Sequence, residues 1–504
     1  MRPKKILFLA IAVSAMVSGC KKSFLETEPS ERLSTLQYRN AVKQDPSLNV
    51  ATLRGLYTAM YTDGIGGTTA DDDFGQKGID IYTDMLCSDM VLGGLNYGWY
   101  ADLTEYTATI NFTTNENYIP WRYFYRLIYG ANNIIDGIVD TDPSLENELN
   151  KAIMGQAKAM RAYAYFYLSQ LYIPEYGDGS TKVLPIYSTA KGEGNHPKST
   201  TKEVYDLVIS DLTEAVNLLT GAAARTGKEQ VDVNVAKGLL CYALGARGTP
   251  ADWAQIVTLT QDIIDEYPAT SPAATVLLPG QTVAANPAAG FYDVNTPSWM
   301  WGVDVTKAMG VGLLSFWGQV DYFSYSYASA GDYKNIDNGL WAAMRPDDIR
   351  RLQFRASNPQ MPWYKFFDPG RKAQGQAQPF TTDLLYMRSD EFYLLNAEAK
   401  ARTGQDLAAV GVLENFLGGG KRLTDVGYLT GLSGQPLLNE IYFQTRAELW
   451  GEGKSYLAMK RNKATTKRGN NHLSFAGQTF AYNDPKLTFS IPQAEILNNP
   501  NLDK

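Results

Sequence analysis

Between residues 153 and 264 the apolar side chains recur at intervals of three and four, over and over, with capping residues and turns between the runs. Ile153, Ala157, Met160, Ala164, Tyr167 and Leu171 make one such stripe, and the spacing predicts a helix over Ile153–Tyr172 with one buried face. Thr200 followed by Glu203 is a capping box, in which side chain and backbone satisfy each other's hydrogen bonds, and Val204, Val208, Leu212, Ala215 and Leu219 follow it. Val235, Leu239, Tyr242 and Ala246 form a further stripe ending near Gly248. Thr249-Pro250 then opens another, with Trp253, Ile256, Ile263 and Ile264 inward. Toward the C-terminus, a helix is expected over Leu384–Arg402, closing at Gly404. Asp406 caps a short partner carrying Leu407, Val410 and Leu413, and Leu437–Arg461 reads as the longest helix. A chain built this way is mainly α. Helices joined by short turns stack as tetratricopeptide-like hairpins, although no strict repeat of about 34 residues survives.

Two regions break the rhythm, 63–118 and 270–380, leaving the helical scaffold mainly in 119–269 and 381–462. Both are rich in Gly, aromatic residues and turn formers, so they read as long loops with a few short strands. Trp299, Trp301, Val303 and Val305 alternate, as do Phe323, Tyr325 and Tyr327. Loops of this length on a rigid frame are usually functional. The chain has 32 Tyr and 9 Trp against 19 Phe, and a Tyr keeps a polar tip on a flat apolar body, which suits half-wet binding surfaces. Asn96-Tyr97-Gly98-Trp99-Tyr100 in the first region and Phe316-Trp317-Gly318-Gln319 with Asp321-Tyr322 in the second combine such rings with polar neighbours. Trp299 and Trp301 are expected in the core.

At the N-terminus, Arg2, Lys4 and Lys5 precede an apolar run from Ile6 to Val17, and Val17-Ser18-Gly19-Cys20 ends it with small residues before a cysteine. This is the pattern of a lipoprotein signal peptide, residues 1–19, with Cys20 the lipidated residue and 20–34 a tether. The formal charge of −7 lacks the basic excess that binding nucleic-acid phosphates requires. Three Cys cannot build a disulfide scaffold; Cys87 and Cys241 are expected buried and inert. The two His, His196 and His472, sit in polar loop-like contexts and are expected at the surface, which leaves a serine or cysteine triad without a base. Asp71-Asp72-Asp73 lacks the Gly and Glu of a calcium loop and reads as a solvated turn, so no metal site is expected. Gly453-Lys454-Ser455 lacks the leading glycine of a P-loop, and no cofactor is expected. The basic run Lys460, Arg461, Lys463, Lys467 and Arg468 reads as a solvated face at a helix C-terminus.

Taken together, several segments resemble the SusD/RagB family of outer-membrane lipoproteins. They are the Val17–Cys20 motif with Phe24-Leu25 and Pro29, Trp121-Arg122 with Tyr125, Ile128, Ala131, Asn132 and Asn133, and Gln156–Phe166. Arg388 through Tyr393-Leu394 to Ala397-Glu398-Ala399, Arg446-Ala447-Glu448-Leu449 with Glu452-Gly453, and Ser490–Glu495 with Asn499-Pro500 continue the likeness in order. Ser455 and Ala458 depart from it, standing where the family usually carries an Arg and an Asp. The resemblance implies a SusD-like domain over 35–504, a tetratricopeptide-like scaffold and no catalysis. It implies capture of a glycan for a SusC-like TonB-dependent transporter, at an outer membrane reached only through the lipid anchor, with display at the cell surface. Ligand contacts are expected from the two irregular regions, with Tyr97, Trp99, Trp317 and Tyr322 as stacking rings and Asn96, Gln319 and Asp321 at their polar edge. A peptide ligand, a lipid-anchored hydrolase and a scaffold without a small ligand are the alternatives.

Overall fold

The computed structural model describes residues 35–45, 47–192, 194–271, 276, 291–366, 379–419 and 421–504. The signal peptide, Cys20 and the tether lie outside the described residues. Helices dominate: α1 (Thr35–Gln44), α2 (Leu48–Thr58), α3 (Gln76–Leu86), α4 (Asn115–Thr141), α5 (Glu148–Tyr172), α6 (Thr201–Leu219), α7 (Val233–Arg247), α8 (Pro250–Glu266), α9 (Asp390–Arg402), α10 (Asp406–Leu417), α11 (Gly434–Glu448) and α12 (Ser455–Arg461). From α4 to α8 each helix packs on the next in the chain; α8 then packs on α9, and α9 on α10 and α11. This is the stacked-hairpin scaffold that the spacing predicts. Local chemistry sets its boundaries. Thr114 caps α4 and Asn147 caps α5, while the Thr200–Glu203 capping box opens α6. Asp232 caps α7, Gly248 ends it in the left-handed region at φ 71°, and a second capping box, Thr249–Asp252, starts α8 with Pro250 at its first position.

Four two-stranded antiparallel ladders complete the fold. β1 (Met90–Leu92) pairs with β5 (Lys334–Ile336), β2 (Lys182–Pro185) with β3 (Lys198–Thr200), β4 (Trp299–Val303) with β6 (Leu384–Arg388), and β7 (Thr465–Lys467) with β8 (Thr479–Ala481). The β1–β5 ladder, register Met90 to Ile336, ties the two irregular regions together. One large core runs through the helical stack and under both regions, from Leu53 to Phe489, and includes Trp299 and Trp301; a smaller one lies among α9, α10 and α11.

Four expectations about helices, strands and charged faces are corrected first. Leu384–Arg388 is a strand, because its apolar run is buried on both faces against β4, and the helix begins only at Asp390. The Leu437–Arg461 helix is broken in two: Gly451 and Gly453 have φ of 78° and 73°, and a Cβ on Gly453 would lie 2.5 Å from Asp80 Oδ1, so the chain turns there on residues without side chains. Phe323, Tyr325 and Tyr327 do not form a strand, since Ser324 and Ser326 fold back onto Asp321 and Tyr327 N–H donates to Gly318 O at 2.7 Å. The basic run is largely interior. Lys460 Nζ donates to the carbonyls of Gln170 and Ile173 at the end of α5, Arg461 pairs with Glu398 at 2.8 Å, and Arg468 lies 3.9 Å over the Tyr106 ring, which leaves Lys463 and Lys467 in solvent.

The most concentrated charge is also interior. Arg388, at the end of β6, lies 2.8 Å from Asp390, 3.0 Å from Glu448 and 2.7 Å from Glu452. Arg422 and Arg350 complete the shell around Glu448, and Lys365 pairs with Glu452. All of these side chains are 3% exposed or less. Burial opposes ionisation of Glu448, but Arg422 and Arg388 outweigh it and hold the carboxylate well below its ordinary range. Cys87 and Cys241 are buried free thiols, raised by desolvation. His472, expected at the surface, is buried with Nε2 3.2 Å from Asp337 Oδ2, and His196 is half-buried. Among the described residues no helix is long and apolar enough to cross a membrane.

Candidate functional site

Where β1 ends, the chain runs through Gly93 and Gly94 into the Leu95–Tyr100 tip. Gly93 N–H donates to Tyr333 O at 2.8 Å, extending the pairing with β5. The Asp332 carboxylate, just before β5, accepts the N–H groups of Asn96 and, at 2.9 Å, Tyr97. Asn96 Nδ2 donates to the Ala330 carbonyl. One irregular region therefore holds the other by its backbone, and the aromatic side chains fall together as a result. Tyr97 and Trp99 both meet Tyr327 edge to face, with centroids 5.2 and 6.2 Å apart. Tyr327 is 7% exposed and Tyr97 63%, with Trp99 between, so the group has a fixed inner ring and an open outer one.

Polar groups hold this face from beneath. The Tyr327 hydroxyl donates to the Asp71 carboxylate, and burial together with that hydrogen bond raises the phenol well above its ordinary pKa, so it remains protonated. Gln319 Nε2 donates to Asp71 O at 3.0 Å, and Lys334 Nζ donates to Gln319 Oε1 and Asp332 O, both at 3.1 Å. Burial pulls the Lys334 ammonium down to about 7, with Asp332 and Asp72 working against the fall. Burial likewise lifts Asp72 to about 6, although the Tyr82 hydroxyl donates to it at 2.7 Å. The loop expected as a solvated turn is thus a support: Asp72 and Asp73 are buried, and Asp73 accepts from Gly66 N–H at 2.7 Å and from Thr68. Among the described residues no group of three His, Cys, Asp or Glu is arranged to hold a metal ion.

The seven residues singled out from sequence divide into two sets. Asn96, Tyr97 and Trp99 stand on the open tip, and Tyr322 is half-buried, tilted against Trp363 at 5.8 Å. Trp317, Gln319 and Asp321 do not reach a ligand surface; they are 1%, 0% and 1% exposed. The reason is local. Ser315 caps the short helix Phe316–Val320, whose turn drives Trp317 inward beside Phe316 and Phe366 and Gln319 under Asp71. The Asp321 carboxylate is engaged by Phe323 N–H at 2.8 Å and Ser324 Oγ at 2.5 Å. Sequence reasoning missed Tyr327, Trp363, Asp71 and Asp332. Two of them left a signal that pointed elsewhere: the alternation of Tyr327 with Tyr325 reads as a strand, and Asp71 in its acidic run reads as a solvated turn.

A family model described as starch-binding associating with outer membrane matches residues 64–232, and the SusD family model matches residues 338–504. The chain belongs to the SusD/RagB family. Members of this family are cell-envelope nutrient-binding proteins. SusD-like protein P38 of Formosa agariphila is 32% identical over 215 residues, covering 43% of this chain and 37% of that protein. A SusD-like protein of Bacteroides ovatus is 24% identical over 247 residues, 48% of this chain and 40% of that one. The matched stretches therefore span about two fifths of those relatives' lengths. Among solved structures, a SusD-like carbohydrate binding protein from Bacteroides vulgatus superposes with a TM-score of 0.72 at 22% identity, covering 90% of this chain and 96% of that one. A SusD superfamily protein from Bacteroides fragilis gives 0.71 at 22% identity, covering 91% and 99%. At such identity these structures establish the SusD fold.

Proposed function

We propose that this SusD/RagB protein is a non-catalytic receptor that captures a glycan at the cell surface and passes it to a SusC-like TonB-dependent transporter. Cys20 supplies the lipid anchor to the outer membrane, and residues 35–504 act as one SusD-like unit. The observation that carries this reading is the open aromatic tip, Tyr97 and Trp99, fixed edge-on against Tyr327 and clamped through the backbone by Asp332. A pyranose presents a flat C–H face to such rings, while its hydroxyls find the Asn96 amide and the Asp71 carboxylate. Rings already held in place lose little entropy on binding, which favours affinity from a small contact area. Tyr322 with Trp363 offers a second pair of rings on the same turn-rich region.

Calorimetric titration of oligosaccharides into wild type and variants tests this. Tyr97→Ala and Trp99→Ala are each expected to weaken binding by about 2 kcal/mol, roughly thirtyfold, at a nearly unchanged melting temperature. Unaltered affinity in both variants places the ligand elsewhere, and turnover of the oligosaccharide by the purified chain removes the non-catalytic assignment.

A further inference from the structure

A second concavity lies outside the aromatic tip, between α4 and the loop residues Tyr187, Thr189, Ala190 and His196, closed at one end by the short helix Gln493–Asn498. Its volume is about 480 Å³, within the range of about 300 to 1,000 Å³ usual for small-molecule sites. Rings form its walls: Trp121 and Tyr125 from α4, with centroids 4.9 Å apart, and Tyr187 with His196 from the loop, 4.7 Å apart. These rings are locked by hydrogen bonds at their polar ends. Tyr125 OH donates to Pro185 O at 2.8 Å, and Trp121 Nε1 donates to Glu495 Oε2 at 3.4 Å.

Two cations, Arg122 and Arg126, share this wall one helical turn apart. Arg126 donates to the Ile65 carbonyl, and Arg122 lies over the Tyr118 ring at 5.7 Å. Among the described residues neither forms an ion pair. Asp73, whose field reaches Arg126, is buried and taken up by Gly66 and Thr68. The nearest loop is shaped around this charge, since a Cβ on Gly67 would lie 2.3 Å from Arg122 Nη1. Acceptors stand on the other wall. Glu495 keeps its carboxylate there, partly used by Trp121 and by Asn499 Nδ2 at 2.7 Å. His196 Nδ1 lies 2.6 Å from Ile186 O and must carry the proton, which leaves Nε2 an acceptor in the neutral ring.

The geometry points to a second saccharide site, distinct from the aromatic tip, that takes an anionic sugar unit: its carboxylate or sulfate on Arg122 and Arg126, its C–H face on the half-buried Tyr125 and Tyr187 rings, which the buried Trp121 backs, and its hydroxyls toward His196 and Glu495. The two adjacent guanidiniums repel each other, and an oxyanion bridging them relieves that repulsion with planar, charge-assisted hydrogen bonds. A neutral sugar gains only the ring contact. The inference rests on the assignment of the chain as a glycan receptor, but it uses none of the residues of the tip.

The test titrates the full chain in detergent with three tetrasaccharides of equal length: an oligogalacturonate, a sulfated oligogalactan and a neutral glucan. The expected result is that at least one anionic tetramer binds more tightly than the neutral one. The joint Arg122→Gln, Arg126→Gln variant is expected to lose at least tenfold in affinity for it and most of the salt dependence of binding. The uronate and sulfate arms tell which anion is meant. Trp99→Ala separates the two sites: it leaves the arginine-dependent component in place even if the tip proves unimportant. Should the double variant not fold, Ala190→Glu, which sets a carboxylate on the loop that lines the same concavity, is expected to produce the same loss. No anionic preference in wild type, or full anionic affinity in the double variant or in Ala190→Glu, overturns the site.

Discussion

Trp317 and Tyr97 were indistinguishable in the sequence, each an aromatic residue among glycines and polar neighbours, and they have opposite physical roles. Trp317 is 1% exposed and packed by other rings, so its removal opens a cavity; Trp317→Ala is expected to cost about 3 to 5 kcal/mol of stability. Tyr97, at 63% exposure, leaves none, and Tyr97→Ala should shift stability by less than about 0.5 kcal/mol. Thermal unfolding of the two variants, measured without ligand, checks the contrast. A different residue-scale effect sits at Asp84, fully buried on α3, where desolvation and the charges of Asp89 and Asp80 push its carboxyl well above the ordinary value of 3.8. Its proton therefore stays on in the folded state while the unfolded chain releases it above about pH 4, so this group takes stability away as the pH rises, by up to about 1.4 kcal/mol per unit. Asp84→Asn removes that slope. The variant is expected to gain melting temperature relative to wild type at pH 7 and to lose the gain near pH 4; an equal change at both pH values would show that the carboxyl is not held neutral.

At the scale of elements, the charge cluster around Arg388 joins β6, α9, α11 and the 349–353 turn, which local propensity alone would not hold together. Removing one member leaves the rest buried and uncompensated, so Arg388→Met is expected to cost about 3 to 5 kcal/mol, read as a fall in denaturant midpoint. Glu448 and Glu452 are both held below the ordinary glutamate value of 4.5, so what they contribute is complete above that pH and is lost as the pH falls through their lower folded values. The helices of the scaffold were legible because a stripe, a cap and a terminating glycine agree, as at Thr200, Thr249 and Gly248. What could not be read was set by distant partners. Leu384–Arg388 carries a run that serves a helix or a buried strand equally, and β4 decides it. Lys460 looked solvent-bound because nothing local reveals that its ammonium caps the end of α5, nearly three hundred residues back. The site was legible only as a pair of regions. Asn96, Tyr97 and Trp99 stand on a tip where a surface ring was expected, whereas Trp317, Gln319 and Asp321 turn inward through a short helix and a serine-rich turn that spacing does not encode.

At the scale of the whole molecule, the proposed role in transport asks the frame to hold its binding surface beside a transporter. The aromatic tip and the arginine-lined concavity are both fastened to the loop 64–73, which meets Arg126 through Ile65 O and Tyr327 through Asp71, so the two proposed sites share one continuous stretch of chain. Capture helps uptake only if the frame stays beside the transporter, and that depends on the membrane anchor. On the proposed lipidation of Cys20, several acyl chains, at about 0.8 kcal/mol per buried CH₂, would make an attachment that one chain would not. Cys20→Ala is therefore expected to leave the helical frame and the affinity for oligosaccharide unchanged in the purified protein while removing it from the membrane fraction. Fractionation of cells, with calorimetry on the released protein, measures both halves. Growth on the cognate glycan should fall in proportion to the protein lost from the surface, because an untethered receptor no longer raises the ligand concentration at the transporter. Undiminished membrane association in Cys20→Ala would show that the anchor is not this cysteine. Normal growth with a soluble receptor would show that tethering is not what couples capture to import.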